Sequence, residues 1–138
     1  MLKSRKEITV LLIEDQEDDR FLFQRALRKA HPEAQLFSAT DGVEAVDFFQ
    51  KQGRFANGHT PPPADIMFLD LKMPGRNGFD VLRWMQEHSL LSTLKVVVLS
   101  GSSEPQDVAL ARKLGASDYL VKPISVEQLR AILDEIQA

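Results

Sequence analysis

The chain has 138 residues, a formal charge of −3 and no cysteine. That length suits one domain around one core, the acidic balance argues against nucleic acid as a direct partner, and the missing thiols exclude disulfides and thiolate metal sites. The apolar runs fall far short of a membrane span, and the basic residues 1–6 lack the apolar core of a signal peptide, so the expected setting is cytoplasmic.

Residues 8–13 (Ile-Thr-Val-Leu-Leu-Ile) form a β-branched, apolar run that predicts a strand buried on both faces. The run halts at the polar stretch Glu14-Asp15-Gln16-Glu17-Asp18-Asp19. A helix follows, with Leu22, Ala26 and Ala30 on one stripe and Phe23 and Leu27 beside it. His31-Pro32 ends it, because the residue before proline avoids the helical region. Residues 35–39 predict a shorter strand. Asp41 and Glu44 then read as a capping box, opening a helix on which Val43, Val46 and Phe49 or Gln50 keep the spacing, with Gly53 as its stop. Residues 53–64, closing on Pro61-Pro62-Pro63, predict a long surface loop with polyproline character.

The next stretch organises the chain. Residues 65–70 (Asp-Ile-Met-Phe-Leu-Asp) read as a strand buried on both faces with Asp70 at its tip, after which Pro74, Gly75 and Gly78 force a turn. Residues 79–88 predict a helix with Leu82 and Met85 inward. Residues 95–99 predict another buried strand, ending at Ser100-Gly101-Ser102-Ser103. Pro105 suits the first turn of a helix on which Val108, Ala111 and Leu114 or Ala109 face inward, with Gly115 as a left-handed stop. A last short strand, 118–121, is terminated by Lys122-Pro123. Ser125 with Gln128 makes a further capping box, and Leu129, Ile132, Leu133 and Ile136 carry helical spacing.

Strands alternating with helices require crossover connections, so the expected fold is α/β: a flavodoxin-like, doubly wound, five-stranded parallel sheet of order 2-1-3-4-5 with helices on both faces. Residues 1–138 are expected to form a single domain with its core at about 8–137. In such a sheet the strand carboxyl ends share one edge. They bring Glu14, Asp15, Asp70, Ser100 and Lys122 to it, with the three carboxylates on adjacent strands. Crowded carboxylates need a cation, and an oxygen-only ligand set suits Mg²⁺. His31, His59 and His88 fall outside any ligand spacing.

Taken singly, each residue has an ordinary job. Asp15 suits a helix N-cap, Glu17, Asp18 and Asp19 are best read as first-turn acids complementing the helix dipole, Ser100 suits a cap, Lys122 a solvated surface, and Tyr119 a core ring. Their joint placement at the strand ends points to a site instead. A carboxylate beside Mg²⁺ can attack phosphorus and form an acyl phosphate, with the metal and Lys122 neutralising the equatorial oxygens and the Ser100 hydroxyl donating a hydrogen bond.

The order of these features resembles the receiver domain of two-component response regulators. The matching pieces are Leu-Ile-Glu14-Asp15, Leu69-Asp70-Leu-Lys-Met-Pro74-Gly-Arg-Asn-Gly78, Val-Leu-Ser100-Gly101 and Asp118-Tyr119-Leu-Val-Lys122-Pro123. The resemblance implies that Asp70 is the phosphorylated residue and that Glu14, Asp15, Asp70 and the Lys72 main-chain carbonyl hold Mg²⁺. It further implies that Ser100 and Tyr119 form a switch pair, that Lys122 contacts the phosphoryl group, and that Lys122-Pro123 is cis. Glu14 stands where Asp is commoner, and Lys72 puts a cation where a small polar residue is often found, which is expected to alter acyl-phosphate lifetime.

The expected role is that of a stand-alone response regulator, with no residues left after the last helix for an output domain. By the same resemblance it is expected to be a stoichiometric phosphoacceptor, assisting its own phosphorylation and dephosphorylation, rather than an enzyme. The implied partners are a sensor histidine kinase or histidine phosphotransfer protein, phytochrome-like by the resemblance of the 53–64 loop, and a downstream protein target. The resemblance implies that the face of the fourth helix, fifth strand and fifth helix is where the chain signals or forms a homodimer. The competing readings are a haloacid-dehalogenase-type phosphatase, whose second Asp is replaced by Lys72, and a receiver-like interaction module that is never phosphorylated. Flavin binding is disfavoured by the acidic loop 14–19, which would repel a phosphate.

Overall fold

The structure is a computed structural model, and it describes residues 7–58, 61–73 and 75–137. The expectations for the basic residues 1–6, for His59 and for Pro74 lie outside the described residues. Strands and helices alternate as the patterning requires: β1 (Thr9–Ile13), α1 (Glu17–Ala30), β2 (Gln35–Ala39), α2 (Gly42–Gln50), β3 (Ile66–Asp70), α3 (Gly78–Glu87), β4 (Lys95–Ser100), α4 (Pro105–Lys113), β5 (Asp118–Val121) and α5 (Val126–Gln137). The sheet is parallel, in the order β2-β1-β3-β4-β5. The doubly wound architecture is the one the sequence predicts.

Successive strand residues point to opposite faces, and the core divides accordingly. Val10, Leu12, Ile66, Phe68, Val97 and Leu99 pack with Phe23, Ala26 and Leu27 of α1 and Leu129, Ile132 and Leu133 of α5. Leu11, Ile13, Met67, Leu69, Val96 and Val98 pack on the other side with Ala45 and Phe48 of α2, Val81, Leu82 and Met85 of α3, and Ala111 of α4. The three central strands are therefore sealed on both faces. This is why they read as continuous apolar runs.

Several local expectations need correction. On α1 the inward stripe is Phe23, Ala26 and Leu27, while Leu22 is 51% exposed and Phe21 57%. Val43 of α2 is also exposed, its buried face being Ala45, Val46 and Phe48. That helix stops at Lys51, itself left-handed at φ 58°, whereas Gly53 (φ 57°) opens a 3-10 turn, Gly53–Phe55. The turn drives Phe55 into the core, edge-on to Phe48 with ring centroids 5.3 Å apart. Part of the irregular loop is thus anchored. On α4 only Ala111 is buried, and Ala109 is exposed. The capping box of Ser125 and Gln128 forms reciprocally, at 2.9 and 3.0 Å. At Asp41 half of the box forms: its side chain accepts from the Glu44 N–H at 2.8 Å, and Glu44 turns to the Thr40 N–H.

Gly78 fixes how closely α3 begins beneath the tip of β3. Its N–H donates to the Leu71 carbonyl at 3.1 Å, and a Cβ there would overlap the Asp70 carbonyl and lie 2.7 Å from Leu71 Cα. Helix propensity alone says that alanine should help at this position by about 1 kcal/mol. Close approach says the reverse. Gly78→Ala is expected to lower stability by about 1–3 kcal/mol, the range for overpacking a tight site, as read by urea denaturation. A gain in stability would contradict the close approach.

Candidate functional site

The pleat selects which strand-end side chains meet. In the register Ile13 pairs with Leu69, so Glu14 lies level with Asp70, and both continue the face lined by Leu12 and Phe68. Lys122 continues the same face of β5, two residues beyond Leu120. These side chains converge. Lys122 Nζ lies 2.6 Å from Glu14 Oε1, 2.9 Å from Asp19 Oδ2 and 3.5 Å from Asp70 Oδ2. Glu14 is 2% exposed and Asp70 5%, so the acids are withdrawn from water.

Withdrawal is costly. Burial, with Asp70 beside it, pushes the Glu14 carboxyl up to about 7 despite the opposing ammonium of Lys122. Burial also pulls the Lys122 ammonium down, but hydrogen bonds to Glu14 and Asp19 and the charge of Asp70 outweigh it and hold the group above the ordinary lysine value. One ammonium is a partial answer to so many acids. Glu14, Asp15 and Asp70 each offer an oxygen within 4.8 Å of the others, and Asp15 Oδ1 is buried with no hydrogen-bond partner. At such separations like charges repel by about 4 kcal/mol at an effective dielectric of about 20. An oxygen-only donor set with one orphaned carboxylate oxygen fits a hard divalent cation such as Mg²⁺.

Asp15 does not cap α1, because the N-cap is Gln16 and it makes no side-chain cap. Glu17 and Asp18 stay as first-turn acids, but Asp19 reaches Lys122, a contact that the sequence reading missed. Its signal was faint, since the acid sits in the first turn of α1 beside Glu17 and Asp18. A second anchor was also missed: the Arg20 guanidinium donates to the Glu14 carbonyl at 2.9 Å. Asn77, unremarked in the sequence, caps α3 in a capping box with Asp80 and so fixes the turn after Asp70.

Ser100 and Tyr119 lie on the opposite pleat parity, next to α4. Ser100 is fully buried, and its Oγ accepts from the Ser102 N–H at 3.1 Å. The Tyr119 hydroxyl donates to the Ser102 carbonyl at 2.7 Å. Both members of the expected pair thus engage one residue of the loop after β4. Lys72 approaches through its main chain, whose N–H donates to Asp70 Oδ1 at 3.2 Å, while its ammonium points to Asp107. The bond between Lys122 and Pro123 is cis. His31 is buried but lies at the end of α1 at the other sheet edge. Among the described residues no helix is long and apolar enough to cross a membrane.

The family model of the response regulator receiver domain matches residues 10–134. Response regulator Rcp1 of Synechocystis is 30% identical over 129 residues, covering 94% of this chain and 86% of that protein. The transcriptional regulatory protein GltR of Pseudomonas aeruginosa is 29% identical, but the chain spans only 46% of its length. Among solved structures, the phosphorylated cyanobacterial phytochrome response regulator RcpA superposes with a TM-score of 0.77 at 29% identity, over 95% of this chain and 91% of that one. The Mn²⁺-bound form of Rcp1 superposes at 0.73 and 30% identity, over 94% and 91%.

Glu14 makes stability depend on pH. Its folded pKa lies above the ordinary glutamate value of 4.5, so its contribution is fully present below pH 4.5 and is lost as the pH rises through about 7. In a chelator, the stability of wild type relative to Glu14→Gln should fall between pH 4.5 and 8, by up to about 3 kcal/mol for a shift of this size. Guanidinium denaturation at the two pH values reads it. A difference that does not change with pH would contradict the buried, crowded state of this carboxyl.

Proposed function

The chain belongs to the response regulator receiver domain family, and from that premise we propose that it accepts a phosphoryl group from a phosphohistidine donor on Asp70. Receivers of this family are phosphoacceptors in two-component systems. The observation that carries the specific reading is the convergence on Asp70: Lys122 Nζ at 3.5 Å from Oδ2, the Lys72 N–H at 3.2 Å from Oδ1, and Glu14 and Asp15 alongside.

In the proposed transfer an Asp70 oxygen bonds to phosphorus as the phosphorus–nitrogen bond of the donor breaks, and the bonding pair returns to the imidazole ring. Glu14, Asp15, Asp70 and the Lys72 main-chain carbonyl would hold Mg²⁺, which supplies positive charge to the transferring oxygens. Lys122, already anchored by Glu14 and Asp19, needs little reorganisation to contact a phosphoryl oxygen. Ser100 and Tyr119 are read as the switch pair, since a phosphoryl group adding about −1.5 to −2 of charge attracts the Ser100 hydroxyl and so disturbs the Ser102 loop that both engage. Pro123 is structural, closing the strand that presents Lys122.

The proposed donor is a sensor histidine kinase or histidine phosphotransfer protein. Likeness to a phytochrome response regulator favours a phytochrome-like kinase. The signal is read to leave by contact with a downstream protein or by onward phosphotransfer, with the face of α4, β5 and α5 as a homodimer or output surface. The family match favours this reading over a haloacid-dehalogenase-type phosphatase.

Incubated with a small acyl phosphate donor and Mg²⁺, wild type is expected to gain one phosphoryl group by intact mass, and Asp70→Asn none. Lys122→Ala should slow uptake by roughly 10²-fold, the loss typical of one oxyanion-stabilising group. Equal uptake by Asp70→Asn, or none by wild type, would contradict the proposal, the latter leaving an interaction module that is never phosphorylated.

A further inference from the structure

Lys72 has two anchors that pull in different directions. Its main-chain N–H is bound to Asp70 Oδ1 at 3.2 Å, yet its ammonium lies 3.9 Å from Asp107 Oδ2, in the first turn of α4. That Asp107 oxygen is also 3.5 Å from the Ser102 hydroxyl. Ser102 in turn donates its N–H to Ser100 Oγ and accepts the Tyr119 hydroxyl at its carbonyl. One short loop residue thus joins Asp107 to the two groups read as the switch.

The Lys72–Asp107 pair is weakly held. The lysine side chain is 67% exposed, and an exposed ion pair is screened by water and salt. Because the Lys72 main chain already touches the acceptor, rotation of the side chain alone carries the ammonium towards Asp70. A phosphoryl group there bears about −1.5 to −2 of charge against −1 on Asp107, so it outcompetes Asp107 for the cation. Resting on the reading of Asp70 as phosphoacceptor, we propose that Asp107 is a positioning residue. It parks the Lys72 ammonium away from the acceptor and surrenders it on phosphorylation, which frees Asp107 and Ser102 and couples the start of α4 to the state of Asp70.

The consequence concerns how long the acyl phosphate survives. In its hydrolysis, a water oxygen bonds to phosphorus while the bond to the Asp70 oxygen breaks. The bonding pair returns to the carboxylate, the proton of the water passes to solvent and inorganic phosphate leaves. Lys72 laid across the phosphoryl oxygens obstructs the entering water and prolongs the intermediate. Asp107, competing for the same ammonium, shortens it.

The test loads wild type, Asp107→Asn, Lys72→Ala and the double variant with a small acyl phosphate donor and Mg²⁺. Uptake is scored by intact mass, and decay is followed after the donor is removed. Asp107→Asn should decay about threefold more slowly than wild type, the scale of one exposed ion pair, and Lys72→Ala faster. In the Lys72→Ala background Asp107→Asn should have no further effect, and Asp107→Glu should restore the wild-type lifetime. Asp107→Ser replaces the Asn variant should that one not fold. An Asp107→Asn effect of equal size with and without Lys72 would overturn the inference and leave the phosphoacceptor reading standing. Failure of wild type to take up the group removes both.

Discussion

Lys122 Nζ meets Glu14 Oε1 at 2.6 Å, Asp19 Oδ2 at 2.9 Å and Asp70 Oδ2 at 3.5 Å, from a strand two places away from β3 in the sheet. Removing that ammonium would leave buried carboxylates facing one another in a poorly hydrated crevice, a situation that proteins avoid by protonation or by a metal. The crevice shows signs of both pressures. Glu14 is pushed towards neutrality, and Asp15 keeps a buried oxygen without a partner. A site so arranged is destabilised on its own and is relieved by added positive charge. That is the physical condition for a centre that accepts a divalent cation.

The sheet supplies this arrangement through simple geometry. Parallel winding sends all strand carboxyl ends to one edge, and the two-residue pleat then sorts them by face. Glu14, Asp70 and Lys122 share the face packed by α1 and α5, whereas Ser100 and Tyr119 fall on the α4 side. Asp70 therefore stands between a charge-bearing half and a hydroxyl-bearing half. Gly78 and the Asn77 cap hold the turn after β3 tight enough for the Lys72 N–H to reach Asp70 Oδ1.

Much of this was legible in the chain itself. Fully buried strands announce themselves as apolar runs, so β1, β3 and β4 and the polar residues at their ends could be read with little error, and the winding followed. Helix faces were harder. On α1, Leu22 and Phe23 are neighbours in sequence with equal hydrophobicity, and only the packing against Phe68, ring centroids 4.9 Å apart, decides that Phe23 is the inner one. The stop of α2 was misjudged because Lys51 accepts a left-handed conformation that the sequence offered more naturally to Gly53. Asp19 was assigned to the helix dipole because nothing local distinguishes it from Asp18. Its partner is 103 residues away, and long-range pairs of this kind are set by topology rather than by neighbours.

Equilibrium binding of Mg²⁺ asks directly whether Glu14, Asp15 and Asp70 form one cation site. Isothermal titration of wild type at pH 8 should show a single saturable site. Asp15→Asn, which replaces the acid bearing the buried, unpartnered oxygen, should abolish that site while leaving the fold intact by circular dichroism. Binding of equal strength in Asp15→Asn, or no saturable binding by wild type, would contradict the account.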